Sequence, residues 1–487
     1  MSRAPPAWLS GLVVGNAHRH CNVPFRNLSA TSRSAESKAQ DTAYERIRTI
    51  RRDHLNRAIV TYYQRPLLMT RGEAQYLWDH EGNRYLDLFA GIVTVSVGHC
   101  HPRVLDALTQ QASQLWHTTS IYMTAPVHEF AEKLVAKLPA PLKVCYFTNS
   151  GSEANELATL MARMYTRRYD ILTLRSAYHG VTQTLLGATN IGLFKMPAPT
   201  GFGIHKLMNP DPYRGIWGGR NCRDSLVQTT RTCDCQADEC RACDRYIEQL
   251  DESLRCDLPQ QGPAALMLES IQGVNGAVQF PRRFVKRAFE KVRALGGVCI
   301  ADEVQSGFGR TGSAFWGFQS HDVVPDIVTM AKGIGNGFPL AAVVTTPQIA
   351  ATLTSGASIN TFGGQPLACA VGKTVLEVIE EEKLQANADD VGSYLLRELA
   401  TLRDESSVIG DVRGKGLMIG VELVQDKETR TPLPKSQVQS LFEAIREKRV
   451  LIGTGGLNGN VFRIKPPLCL TRANADQALD VLRTVLK

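Results

Sequence analysis

The order of segments along the chain constrains the fold more than any single residue does. From about residue 126, helical periodicity in VHEFAEKLVAKL gives way to the strand-like KVCYFTNS, then to a helical EANELATLMARMYTRR and the apolar DILTLRSAY. Further on, ALMLESI, RRFVKRAFEKVRAL, GGVCIADE, DIVTMAK and LAAVVTT repeat the alternation. Short apolar strands separated by helices of roughly 10–15 residues are too far apart in sequence to be hairpins. They predict an α/β fold with a mostly parallel sheet covered by helices on both faces. Such a sheet takes its ligands at the carboxyl ends of its strands, so the residues that follow each apolar run carry the chemistry.

Several function classes fall away on composition. No run approaches the roughly 18 consecutive apolar residues of a membrane span. The net charge of +8 is unevenly shared. Residues 1–40 hold Arg3, Arg19, Arg26, Arg33 and Lys38 against Glu36, which is +4 and leaves 8 − 4 = +4 for the rest. That is mild for a body of this size, and no basic stripe is interleaved with aromatics, so a nucleic-acid partner is not expected. The first 35 residues contain four arginines, several serines and no acid, the composition of a mitochondrial transit peptide. A secretory signal is the rival, because WLSGLVVGNA is a short apolar run. Arginines continuing at 19, 26 and 33 favour import into the mitochondrial matrix.

Three motifs sit at strand ends. In TNSGSEANE a strand runs into a helix, with Ser150 and Glu153 at capping-box spacing, so the helix begins near Gly151. Its unpaired N–H groups and dipole make an anion site, although an ordinary capped helix would read the same way. GGVCIADEVQSGFGRTG ends an apolar strand on Asp302 and Glu303, one of which must face inward and needs a cationic or hydrogen-bonding partner. GFGRTG fits a dinucleotide-binding pattern, but no helix opens after it, and that reading is set aside. In DIVTMAKGIGNGFP, Lys332 follows a buried strand with no acid nearby. Desolvation there lowers the pKa of an ammonium and frees the neutral amine as nucleophile or base; a structural lysine at a strand end is the plainer alternative.

One group explains all three. Pyridoxal 5′-phosphate needs a lysine to carry it, an acid to keep its ring nitrogen protonated, and a helix start for its phosphate. Lys332, thirty residues after Asp302, and the Gly151 helix supply these. Tyr178 in AYHG offers an aromatic face for the ring, and Thr361 in NTFGGQP a further phosphate ligand.

On these residues the chain resembles the class III (ornithine- and GABA-type) aminotransferases of fold type I. NSGSEANE, AYHG, ESIQG, ADEVQSGFGRTG, AKGIGNGFP, TFGGQP and RIKPPL occur in family order, and the match runs from about residue 50 to the end. The resemblance implies a large domain with a seven-stranded-type, mostly parallel sheet and a smaller α+β domain built from both ends of the chain. The expected division is a targeting segment at 1–40, the first part of the small domain at 41–100, the large cofactor-binding domain at 101–370, and the rest of the small domain at 371–487. It further implies Lys332 as the cofactor lysine, Asp302 as the partner of the ring nitrogen, and Gln305 at the ring 3′-oxygen. Gly151 and Ser152 would hold the phosphate, with Thr361 reaching it from a partner subunit in an obligate homodimer. Glu269 matches the family glutamate near the cofactor, although the usual proline after it is Ser270 here. Arg463 matches the arginine that grips a substrate α-carboxylate, a role suited to a bidentate guanidinium. His99 and His101 match a family turn with no metal role.

One departure bears on substrate. Relatives often carry, after QG, a glutamate that pairs with the carboxylate-binding arginine; this chain has Val274 there. An arginine left open in both half-reactions favours small amino acids, alanine or 3-aminoisobutyrate, as donors to small 2-oxo acids such as glyoxylate or pyruvate. The alternatives are another pyridoxal enzyme on the same scaffold, a decarboxylase or aminomutase, and a metal-binding interaction protein with a degenerate catalytic domain. The last arises from Cys233, Cys235, Cys240 and Cys243 in CDCQADECRAC, within an insertion at about 218–248. Four thiolates suit zinc. The short C-x-C and the lack of a histidine instead give an expectation of no metal, with free thiols or a local disulfide.

Overall fold

The computed structural model describes residues 30–487 except 234, 237–238 and 356–359, and the side chains of all of these but 30–41 and 355. Residues 1–29 of the expected targeting segment lie outside the described residues. The chain divides into a unit ending at Val60 and a second from Thr61 to Lys487. The described part of the first is a helix, Ala30–His54, and the residues after it; the helix runs across the boundary expected at residue 40. Its sequence has good helix formers and neither Pro nor Gly to stop it.

The second unit is built on a seven-stranded sheet. Its strands run, edge to edge, Val144–Thr148, Ala341–Thr345, Ile327–Met330, Val298–Asp302, Ala265–Glu269, Ile171–Leu174 and Ile204–Leu207. Ala341–Thr345 is antiparallel to both neighbours, and the remaining pairs are parallel. The five central strands are buried along their whole length, which is why they read as continuous apolar runs rather than alternating ones. Helix Gly151–Thr166 covers one face, packing Ala154, Ala158, Met161 and Ala162 with Ile300, Ile327 and Val343. On the other face, helix Pro366–Glu381 lies against helices Pro102–Gln114 and Ala125–Val135.

The register of three neighbouring strands positions the site. Glu269 pairs with Asp302, and Asp302 with Thr329, so their ends form one row. A four-stranded sheet joins Met69–Glu73, Tyr76–Asp79 and Arg84–Asp87 to Val450–Leu451 from near the other end of the chain. A further antiparallel sheet holds Ile409–Lys415, Met418–Asp426, Val461–Ile464 and Gly453–Gly455, and Arg463 lies on its third strand. No described helix is long and apolar enough to cross a membrane.

Candidate active site

Asp302 ends its strand almost wholly buried. Its Oδ2 accepts from Asn155 Nδ2 at 2.8 Å and lies 2.8 Å from His179 Nδ1, while Oδ1 accepts from the Val304 N–H at 3.1 Å. A carboxylate only accepts, so His179 Nδ1 carries the proton, and its buried Nε2 is left without a partner. Asn155 is fixed in turn: its amide also donates to the His179 carbonyl at 2.8 Å, and its Oδ1 accepts from Thr329 at 2.6 Å. Of the two acids at this strand end, Asp302 faces the site. Glu303 points the other way and is satisfied by Ser270, Ser306 and the N–H groups of Gly317 and Phe318. Ser270, where a family proline is usual, therefore serves the second acid.

Glu269 is also buried, and desolvation raises its pKa above the usual carboxylate value. It accepts from the Tyr178 N–H at 3.1 Å and the Gly273 N–H at 2.7 Å. Burial likewise raises the Tyr178 phenol, with the nearby Asp302 and Glu269 adding to the shift. Tyr178 meets Phe194 edge-on at 5.0 Å.

Lys332 follows the strand Ile327–Met330 with φ of 53°, and no described side chain takes its ammonium in a hydrogen bond. Desolvation dominates and lowers its pKa, Asp302 and Glu269 pull back, and Arg463 lowers it further. Arg463 is enclosed as well. Its Nε donates to the Thr454 carbonyl at 2.9 Å, its guanidinium lies 5.0 Å over Phe89, and Nη1 is buried without a partner. Such an orphaned buried donor marks a place for an anion. Val274 is beside it: the Val274 carbonyl accepts from the Gly456 N–H at 3.0 Å, and a Cβ on Gly455 would touch both that oxygen and Arg463 Nε.

At the helix start, Ser150 Oγ caps the Glu153 N–H at 3.2 Å. The expected capping box is not completed: the Glu153 carboxylate accepts from Asn149 N and Nδ2 and from Asn360 Nδ2. The first-turn N–H groups of Gly151 and Ser152 have no helical acceptor. Gly151 lies against Val304, and Ser152 Oγ against Gly180, which bring the helix start beside the acid's own loop. Thr361 is exposed on the surface and is not drawn into this cluster.

Three groups escaped the sequence reading. Asn155 and His179 bind Asp302 across 147 and 123 residues. Lys465 is fully buried, donating to the Gln305 Oε1 and the Gly273 carbonyl at 3.0 Å each, and desolvation with the neighbouring Arg463 holds its pKa well below that of a free lysine. Two motifs that the sequence reading set aside serve elsewhere. Arg310 of GFGRTG is buried in a turn, donating to the carbonyls of Leu417 and Pro466. His99 and His101 bind separate acids, Asp87 and Glu382.

A row of buried acids, an unpaired enclosed lysine, an open helix start and a buried guanidinium with one unmet donor are the fittings of a pyridoxal-phosphate enzyme. The chain belongs to the aminotransferase class III family, which matches residues 59–486. It is similar to a protein named mitochondrial alanine–glyoxylate aminotransferase 2 from Pongo abelii, 55% identical over 92% of this chain and 87% of the relative. Among solved structures it is similar to an Arthrobacter phospholyase in complex with phosphoethanolamine, at a TM-score of 0.82 and 32% identity, covering 90% of this chain and 99% of that one. A third likeness is to an amine transaminase from an uncultivated Pseudomonas species in its PLP-bound form, at 0.77 and 32%, covering 86% and 94%. The cofactor is pyridoxal phosphate, and the family acts on amino acids and 2-oxo acids.

Gln305 tests how tightly this site is built. A Cβ at position 273 would lie 2.3 Å from Gln305 Oε1. Gly273→Ala therefore expels the glutamine from its bond with Lys465. Leaving a buried donor unsatisfied costs roughly 1–3 kcal/mol. The expected outcome is a lowered melting temperature with a displaced Gln305 in a crystal structure of the variant; an unmoved Gln305 contradicts it.

Proposed function

We propose that this protein is a transaminase that moves the amino group of a small amino acid, alanine first, to glyoxylate or pyruvate, with the named residues in the following roles. It works in the mitochondrion, as the name of its Pongo abelii relative has it. When bound, pyridoxal phosphate supplies an electrophilic carbon and an electron-accepting ring. Lys332 would hold the cofactor and, as a free amine, would move the proton at the substrate α-carbon. The observation that carries this role is its desolvated setting without a hydrogen-bonding partner, which favours the neutral amine. Asp302, held by His179 and Asn155, keeps the ring nitrogen protonated. Gly151 and Ser152 hold the phosphate, Tyr178 covers the ring, Gln305 binds its 3′-oxygen, and Glu269 lies beside it.

The homodimer belongs to the same reading. Trp116, Ile121, Tyr122 and Met123 are largely exposed, and so is Phe362, the residue next to Thr361. His117 meets Phe362 at 5.5 Å, so these apolar residues share one face. A second subunit covering that face would take Thr361 with it, which supports its assignment to the partner's phosphate site.

Borohydride reduction of the holoenzyme is expected to fix the cofactor on Lys332, and Lys332→Ala to end steady turnover. Label on another residue overturns the assignment. A donor panel against glyoxylate and pyruvate separates the readings: transfer of nitrogen in equal amounts to the acceptor supports a transaminase, while carbon dioxide or inorganic phosphate as product supports a decarboxylase or a phospholyase.

Arg463 is proposed as the carboxylate clamp for both half-reactions. A charge-assisted bidentate pair in a partly dry site is worth ~2–4 kcal/mol, so Arg463→Ala should lower kcat/KM roughly 30- to 1000-fold for donor and acceptor alike. Val274→Glu should reproduce part of that loss by giving the guanidinium an internal partner, sparing amines that lack a carboxylate. Unchanged alanine and glyoxylate kinetics in Val274→Glu would show that position 274 does not set substrate class.

Sedimentation is expected to give a dimer that Met123→Asp weakens. A fully active wild-type monomer removes the shared-site proposal.

A further inference from the structure

The cysteine insertion is built differently from its sequence pattern. Cys243 does not join the other thiols. It lies buried on helix Arg241–Cys256, on one stripe with Tyr246, Ile247 and Leu250, and takes a contact from Arg287 Nη1 at 3.6 Å. Its place is taken by Cys222, eleven residues before Cys233. The main chain closes the insertion there, the Arg220 N–H donating to the Arg231 carbonyl at 2.7 Å, and this brings Cys222 alongside Cys233. Gly219 permits the approach, since a Cβ there would lie 2.3 Å from Cys233 Cβ.

The sulfurs of Cys222, Cys233 and Cys235 lie within 4.8 Å of one another. Cys240 stands next to Cys222, its thiol donating to the Cys222 carbonyl at 3.8 Å. All four are free cysteines, and Cys222 is buried. Sulfurs around a tetrahedral zinc sit at about 2.3 Å from the ion and therefore nearly 4 Å apart. The sulfurs of Cys222, Cys233 and Cys235 already lie within reach of that spacing, and Cys240 stands beside Cys222 as the fourth thiol.

We propose that Cys222, Cys233, Cys235 and Cys240 form a closed, structural zinc site. Four sulfur ligands leave no open position for water or substrate, so the ion has no part in the reaction. Its work is to hold the insertion on the rest of the unit. Arg223, next to Cys222, forks onto Asp411 through two bonds of 2.8 Å, and Arg413 bonds both Asp411, at 3.0 Å, and the Gly276 carbonyl, at 2.8 Å. Gly276 belongs to the turn that carries Gly273 and Val274 beside Arg463, so the zinc loop braces the substrate end of the site through a continuous chain of bonds.

The test is the metal content of the purified holoenzyme, kept reduced and passed over a chelating resin. The expected result is one zinc per chain, released when a mercurial reagent blocks the thiols. Cobalt in place of zinc should give the absorption of tetrahedral sulfur ligation. Cys222→Ser and Cys240→Ser should lose the metal and melt earlier, while Cys243→Ser keeps it. If the serine variants fail to fold, the zinc content and cobalt spectrum of the unaltered protein decide. Metal-free protein with four alkylatable thiols, or a Cys222–Cys240 disulfide in the peptide map, overturns the proposal. So does loss of zinc from Cys243→Ser with Cys240→Ser still loaded.

Discussion

The parallel register of Ala265–Glu269, Val298–Asp302 and Ile327–Met330 is the constraint on which the rest of the site depends. It sets Glu269, Asp302 and Thr329 side by side at the strands' carboxyl ends. Two carboxyl groups buried in neighbouring strands are costly unless donors meet them. Each loop around them is shaped by that demand. The segment after Ile171–Leu174 turns so that the Tyr178 N–H meets Glu269 and the His179 ring meets Asp302. Helix Gly151–Thr166 must place Asn155 over Asp302, which fixes its rotation and thereby aims its first turn at the same cleft.

The cations are arranged on a different principle. Lys332, Arg463 and Lys465 are all enclosed and all have lowered pKa values, and in each case desolvation is the largest cause. None forms a hydrogen-bonded ion pair with Glu269 or Asp302 among the described residues. The acids instead use neutral amides, an imidazole and backbone N–H groups. Charges facing one another across the cleft without being quenched keep both sets available to a bound molecule. A direct Lys332–Asp302 bond would have stabilised the empty protein and occupied both functional groups.

Much of the sheet and the ends of its central strands were legible because buried parallel strands are continuous apolar runs, and the polar residue that ends each run stands out. Lys332 and Asp302 stood out this way, while Glu269 came from the family resemblance. Asn155, His179 and Lys465 were not, because their importance lies in contacts across more than a hundred residues that no local pattern encodes. His179 stood in the AYHG motif beside Tyr178, where an aromatic for the ring drew attention first. The cysteines show the opposite failure. Adjacency in CDCQADECRAC suggested Cys243, yet Cys243, Tyr246, Ile247 and Leu250 follow the i, i+3, i+4, i+7 spacing of a buried helical stripe. Helix periodicity separated Cys243 from the loop thiols; only the folded main chain could bring in Cys222.

The turn from Gly273 to Gly276 is where these two principles meet. The Gly273 N–H donates to Glu269 on the large sheet, and its carbonyl accepts from Lys465, just past the strand that carries Arg463. The Val274 carbonyl accepts from Gly456, and the Gly276 carbonyl from Arg413. Four main-chain bonds from different elements hold four residues, so the backbone is fixed while the Val274 side chain remains partly exposed. At such a position the side chain can change without moving the backbone that meets Glu269 and Lys465. A valine there offers no carboxylate of its own. Under the proposed function, a valine at this turn leaves the buried Nη1 of Arg463 to a carboxylate from outside.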